Sequence, residues 1–233
     1  MPARAKNPSG WFMSLRDIGL FARSARSDAT IERIRAAQGA RHAFETVYGD
    51  SGDPWAAGSA VYRYQRHKYE TIISLLPPRR FANALDLGCG LGMLTQRLAS
   101  VADQVLGLDI AENALVNARD RARHLTNVRF EQADLLALDP SLAGRFDLVV
   151  VADVIYYVSP LGDALLANLA EQIAGLLTPG GLCVLVNHSL FVADPGSRLT
   201  RRIHSAFGSS PRLRLTAQYR RPFYLVSFLT STS

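Results

Sequence analysis

The sequence predicts a doubly wound α/β domain of seven strands, the last two an antiparallel hairpin, set behind an N-terminal helical lid. Three observations lead there. Residues 81–95, FANALDLGCGLGMLT, read as a short apolar strand, a glycine turn and the start of a helix, the opening unit of such a sheet. From that point strand-like and helix-like stretches alternate to about residue 207, the pattern of βα units around a parallel sheet. The chain then closes with two strand-like runs joined at Arg221-Pro222, a connection that suits a hairpin.

At 233 residues the chain has room for one large domain and an appendage, and 48% apolar residues supply a normal core. No run of about 18 apolar residues occurs, so no transmembrane helix is expected. Cys89 lies in the glycine turn and Cys183 inside a predicted strand. They read as small core residues of a cytoplasmic protein in a reducing compartment rather than as a disulfide. The net charge of +6 is local, because seven of the 26 basic residues follow Asp194, where no acid occurs. That tail is either a solvated face or a surface for an anionic substrate, nucleic acid or membrane headgroups.

In chain order, residues 1–27 are basic and serine-rich with one acid, Asp17. They read as a partly ordered arm packing on the body or on a neighbouring subunit, with a transit peptide or a membrane-surface helix as alternatives. Residues 28–78 form the lid. A helix is predicted over 28–47, capped by Asp28 and striped by Ile31, Ile34, Ala37 and Phe44. Turn-formers follow over 48–54, then a second helix over 60–76, stopped by Pro77-Pro78. Residues 79–233 make the main domain. Its strands are predicted at 83–87, 104–109, 127–131, 146–152, 181–187, 212–220 and 223–230. Its helices are predicted at 93–100, 111–124, 162–177 and 197–207. The strand at 146–152 is apolar after Asp147, as a strand covered on both faces would be.

The glycine spacing narrows the ligand. A dinucleotide turn, G-x-G-x-x-G, would put its third glycine at position 93, where Met93 stands. Here Gly88, Gly90 and Gly92 follow Asp86 as D-x-G-x-G-x-G, with Cys89 between them. The glycines let the chain turn sharply and let a ligand lie against bare backbone. Four successive strand ends carry acids: Asp86, Asp109, Asp134 and Asp153. Ligands of open α/β sheets bind outside those ends. A pyrophosphate would be repelled there. Ionised carboxylates only accept hydrogen bonds, so they match a ligand with an ammonium, a sulfonium, two ribose hydroxyls and an adenine amino group, the inventory of S-adenosylmethionine.

This pattern resembles that of class I S-adenosylmethionine-dependent methyltransferases, whose Rossmann-like sheet also has five parallel strands followed by a hairpin. The resemblance implies S-adenosyl-L-methionine as cofactor, S-adenosyl-L-homocysteine as product, and roles for matching residues. Asp86 and the turn Gly88, Cys89, Gly90 and Gly92 would approach the methionine half. Asp109 would accept both ribose hydroxyls, and its neighbour Ile110 would also bind the cofactor. Ala133, Asp134 and Leu135 would form the adenine site. Asp153, after Ala152, would begin the substrate-facing loop.

Within that superfamily the chain is similar to the nodulation S proteins, which N-methylate a deacetylated chitooligosaccharide. Asp53-Pro54-Trp55, Tyr62 and Arg66-His67 look like that family's lid, and FDLVVVADVIYYV with Tyr156-Tyr157 looks like its fourth-strand signature. The similarity covers about residues 50–190. Asp153 departs from an expected Glu, and the arginine-rich segment from Arg198 has no counterpart. Trp55 and Tyr62 would either pin a loop or cover the donor by stacking and cation–π contact. Arg66 would either clamp the methionine carboxylate or sit on the surface.

The implied reaction is methyl transfer to an amine or hydroxyl of a small molecule, with an amino sugar or related natural product favoured. RNA or protein methylation is the alternative. Candidate catalytic residues are Asp153, Tyr156, Tyr157 and His188, with Asp153 or His188 as a base. Arg201 and His204 are candidate substrate contacts, suited to an acceptor bearing a phosphate or carboxylate. No metal is expected. Nucleic acid is disfavoured, since the tail lacks interleaved aromatics. A weak peripheral membrane contact stays open, as does the choice of monomer or homodimer.

Overall fold

The computed structural model describes residues 15–158, 162–189 and 195–232. Three helices come first: α1 (Leu15–Gln38), α2 (Ala40–Ser51) and α3 (Arg63–Leu75). The sheet domain follows as β1 (Phe81–Leu87), α4 (Thr95–Leu98), β2 (Ala102–Asp109), α5 (Glu112–Ala122), β3 (Val128–Gln132) and β4 (Phe146–Ala152). It continues as α6 (Asp163–Leu176), β5 (Leu177–His188), α7 (Pro195–Gly208), β6 (Leu213–Arg221) and β7 (Tyr224–Ser231). The strand order is β3-β2-β1-β4-β5-β7-β6. The first five strands are parallel, and β7 runs antiparallel to both β5 and β6. The order reverses between β1 and β4, the switch point at which such sheets hold ligands beyond the strand ends.

The two-faced burial expected of β4 follows from its period of two. Leu148 and Val150 enter the core beneath the lid, with Ile72 of α3 and Leu98 of α4. Val149 and Val151 enter the opposite core, with Leu166 and Ile173 of α6 and Ile203 and Phe207 of α7. All four valine and leucine side chains are fully buried. Both cysteines are free and buried, Cys183 within the β5 core and Cys89 against α5. Among the described residues no helix is long and apolar enough to cross a membrane.

All seven predicted strands are present. The largest shift is at β5, which already pairs with β4 at Leu177 and so absorbs the turn expected over 178–181. The lid departs more. Asp28 caps nothing, because α1 is helical from Leu15 and passes through it. The single helix expected over 28–47 is two, broken at Gly39, whose φ of 85° no interior helical residue adopts. The boundary placed between residues 27 and 28 therefore falls inside a helix. The described end of the expected arm is tied down: Asp17 is buried and accepts the Arg63 N–H at 3.1 Å, satisfying a donor at the start of α3. Ser27 donates to the Pro54 carbonyl at 2.8 Å and Arg23 to that of Asp53 at 2.9 Å. Residues 1–14 lie outside the described residues.

Candidate active site

The C-terminal ends of the parallel strands open into a cavity of about 880 Å3, roofed by α1, α2 and α3. Its floor begins at the glycine turn. Gly88 and Gly90 have φ of 72° and 51°. A Cβ would stand 2.6 Å from the Val154 side chain at Gly88, and 2.6 Å from the Tyr48 hydroxyl at Gly90. Conformation and room both demand glycine there. Gly92 differs: a Cβ would meet the Phe130 ring at 2.7 Å, so this glycine lets β3 pack under the turn and does not line the cavity. Cys89 does line it.

Asp86 is 2% exposed and accepts a hydrogen bond from the Thr95 hydroxyl at 2.6 Å. Burial pushes its carboxyl up to about 7, against the pull of that hydrogen bond. An acid raised in the folded state makes folding take up a proton. Apo stability should therefore fall as pH rises from the unfolded value of 3.8 towards 7, and level off above. Asp86→Asn is expected to remove this component. Thermal melts of both proteins across that range would show the difference narrowing steadily with acidification. A difference independent of pH would mean that folding does not raise the Asp86 carboxyl.

Asp109, 8% exposed, accepts the Gly90 N–H at 2.8 Å and the Ala111 N–H at 3.0 Å. It thereby ties the glycine turn to the start of α5. Burial raises its carboxyl, partly offset by these backbone donors. Each oxygen accepts one of these two bonds, which leaves the carboxylate further acceptor capacity. Ile110, Ala133, Asp134 and Leu135 continue the wall, with Asp134 Oδ1 taking the Leu136 N–H at 2.9 Å. Above them α2 docks through Glu45, which accepts the N–H groups of Glu112 and Asn113 at 2.7 and 3.0 Å. A carboxylate at a helix N-terminus is stabilising on both hydrogen-bond and dipole grounds.

On the other side Asp153 follows Ala152 at the end of β4, and both line the cavity. Its φ of 56° is left-handed, a region Asp tolerates better than most residues. Its N–H still donates to Val186 of β5 at 2.8 Å. The kink delivers the carboxylate sideways to Lys68 of α3, whose ammonium pairs with Oδ2. Lys68 is 3% exposed, and its Nζ lies 5.8 and 5.5 Å from the ring centroids of Tyr64 and Tyr69. Asp153 Oδ1 is buried without a hydrogen-bond partner.

Tyr156, Tyr157 and His188 also line the cavity, as do Trp55 and Tyr62. Of these, Tyr157 and Trp55 are joined through Asp28, whose Oδ1 accepts the Tyr157 hydroxyl at 2.6 Å and the Trp55 indole N–H at 2.8 Å. Burial raises the Asp28 carboxyl, against both hydrogen bonds. Arg35 donates to the Tyr157 carbonyl, so α1 is fastened to the loop after β4. The Phe21 ring lies 5.5 Å from that of His188.

Besides Gly92, three expected site residues lie elsewhere. Arg66 is turned outward, with a side chain 48% exposed, bonding the Ala60 carbonyl at 3.1 Å. The cation that reaches the cavity from this helix is Lys68, two positions on and therefore on another face. Arg201 is exposed and does not line the cavity; from α7 it is Gly196, Leu199 and Thr200 that do. His204 is buried, sharing a 2.7 Å hydrogen bond between Nδ1 and the Ser227 hydroxyl, with burial pushing it down to about 4. It too is absent from the cavity wall.

Sequence reasoning missed Lys68 and Asp28 as site residues. A signal existed for each. Tyr64, Lys68, Thr71 and Ile72 are the buried face of α3, a helical stripe that includes a lysine. Phe21, Ser24, Asp28 and Arg35 recur at three, four and seven on the cavity face of α1.

This donor set fits S-adenosylmethionine. The rim offers acceptors without cationic competition at Asp86 and Asp109, the turn offers bare backbone at Gly88 and Gly90, and Asp153 Oδ1 awaits a donor.

Comparison with known proteins agrees. A family model described as a methyltransferase domain matches residues 80–209. Nodulation protein S of Sinorhizobium fredii is 28% identical over 129 residues, covering 55% of this chain and 57% of that protein. Trans-aconitate 2-methyltransferase of Deinococcus radiodurans is 33% identical over 153 residues, covering 60% of this chain and 56% of that protein. The chain spans about half the length of these curated relatives. In fold it is similar to N-methyltransferase NodS from Bradyrhizobium japonicum in complex with S-adenosyl-L-homocysteine, with a TM-score of 0.68 at 19% identity over 83% of this chain and 99% of that one. The family match runs from the start of β1 through α7 and takes in the whole glycine turn, so the chain belongs to the class I S-adenosylmethionine-dependent methyltransferases and resembles nodulation protein S among them.

Proposed function

We propose that the protein methylates a small molecule on an amine or hydroxyl, with the amine favoured. The observation that carries this reading is the aromatic-lined chamber beside the glycine turn, bounded by Asp153, Tyr156, Tyr157 and His188. Bound S-adenosylmethionine supplies an electrophilic methyl group on a sulfonium. The chain's own residues then have three tasks. The glycine turn with Asp86, Asp109 and Asp134 holds the donor. The roof of α1, α2 and Trp55 excludes water, and alignment of two partners in a dry site is worth several kcal/mol of barrier. Asp153, Asp28 or His188 takes the proton that an amine must shed before it can attack.

The alternative, RNA or protein methylation, drew on the basic C-terminal segment. Arg201 faces away from the cavity and Arg202 is paired with Asp163 at 2.6 Å, so that segment adds no support for a polyanion at the site. The amine reading covers amino sugars and less polar amines alike. It is tested with methyl-labelled donor and three acceptor pools: amines, hydroxyl compounds and RNA. Label is expected in the amines. Label in RNA alone, surviving moderate salt, would replace this reading with the alternative.

A further inference from the structure

The part of the cavity under α1 has a definite electrostatic character. Among the described residues the cavity is lined by two fixed cations, Arg35 and Lys68. Both are spent: Arg35 on Glu32 at 2.7 Å and on the Tyr157 carbonyl, Lys68 on Asp153. Asp28 has no such counter-ion. Its Oδ1 takes two neutral donors, and Oδ2 takes no hydrogen bond from the described residues. Asp153 Oδ1 and Gln65 Oε1, both on the cavity wall, are buried acceptors without donors. Asp28, Asp153 and His188 stand close enough for the two acids to oppose each other's charge and for the histidine to favour that of Asp28.

The surroundings are rings. Phe21 lies 6.5 Å from Tyr64 and 5.5 Å from His188, centroid to centroid, and Tyr156 and Tyr157 lie 4.4 Å apart. Aromatic faces attract cations, and carboxylates with unused lone pairs attract ammonium donors. The same field opposes a carboxylate or phosphate. Two hydroxyls on the wall are already committed as donors, Ser24 to the Leu20 carbonyl and Thr200 to that of His188. The part of an acceptor that lies against these ring faces gains no hydrogen bonds from them, which favours an apolar body over a polyhydroxylated one.

We propose that this half of the cavity is an ammonium site, taking a primary or secondary amine borne on an apolar aryl or alkyl body. The proposal rests on the methyl-transfer reading for its purpose, but its test is a binding measurement. It also revises the expectation of an anionic acceptor, because the arginines of α7 do not reach the chamber. Asp28 is the specificity-determining residue: it supplies the uncompensated charge, and its contacts to Trp55 and Tyr157 fix where that charge stands.

The experiment is calorimetric titration of the protein saturated with S-adenosyl-L-homocysteine. Three probes are compared: phenethylamine, its near-isosteric carboxylate hydrocinnamate, and glucosamine. Phenethylamine is expected to bind at least about tenfold more tightly than either, the scale of one charge-assisted hydrogen bond. Asp28→Asn keeps the acceptor for Trp55 and Tyr157 and removes the charge. It should weaken phenethylamine about tenfold and leave S-adenosyl-L-homocysteine affinity unchanged. Equal binding of hydrocinnamate or glucosamine, no binding of phenethylamine, or an unaltered Asp28→Asn variant would each overturn the proposal. Failure of the methyl-transfer reading would look different: phenethylamine bound as expected, with no labelled product.

Discussion

Lys68→Met is expected to lower the unfolding free energy by about 3 kcal/mol, a fall in Tm on the order of 10 °C for a chain of this size. The reason is the partner left behind. Asp153 sits in a left-handed turn with one oxygen already unbonded, and Lys68 satisfies the other. Removing the ammonium leaves a carboxylate with neither counter-ion nor water shell on the α3 side. The figure is at the lower end for a broken buried pair because the Asp153 side chain is 22% exposed. Restoring charge balance should restore stability, so the double variant Lys68→Met, Asp153→Asn is expected to recover more than half of the loss. Chemical denaturation of the four proteins in the cycle measures this directly. If Lys68→Met unfolds like the wild type, the pair is not a structural element of the site.

The second large effect concerns Asp109→Ala. If Asp109 accepts both ribose hydroxyls, hydrogen bonds to a charged acceptor worth about 1.5–3 kcal/mol each are lost, and affinity for S-adenosyl-L-homocysteine should fall at least about tenfold. The structure adds a further route to the same loss. Asp109 holds the Gly90 and Ala111 N–H groups, so its removal also loosens the glycine turn itself. Asp109→Asn separates the two routes, because its side-chain carbonyl can replace one of those acceptors and its charge is gone. Calorimetry on both variants should rank wild type above Asn above Ala. Identical affinities for all three would show that another residue holds the ribose.

How legible this was in the sequence depended on how far apart the interacting residues lie. The sheet was readable because a strand buried on both faces, such as β4, has no choice but an apolar run, and because a glycine turn declares itself in three residues. The four strand-end acids were readable for the same local reason. The lid was not. Asp28 precedes an apolar stripe, as a helix cap does, and nothing nearby in the chain says that Trp55 and Tyr157 would converge on its carboxylate. Lys68 and Arg66 are both basic residues on one helix. Only the register of Tyr64, Thr71 and Ile72 separates the inward one from the outward one. The seven arginines after Asp194 promised an anion site, yet a charge count cannot say which way a helix faces. In α7 the buried positions are Ser197, Thr200, Ile203, His204 and Phe207, which turn Arg201 and Arg202 to solvent.

An acid-rimmed glycine turn, closed at Gly92 and not at position 93, is expected to select a cationic methyl donor over a dinucleotide. The most direct measurement is calorimetric titration of the purified protein with S-adenosyl-L-methionine, S-adenosyl-L-homocysteine and NAD in turn. Saturable binding of the first two and none of NAD is the predicted result. Binding of NAD with no response to either sulfur ligand would contradict it.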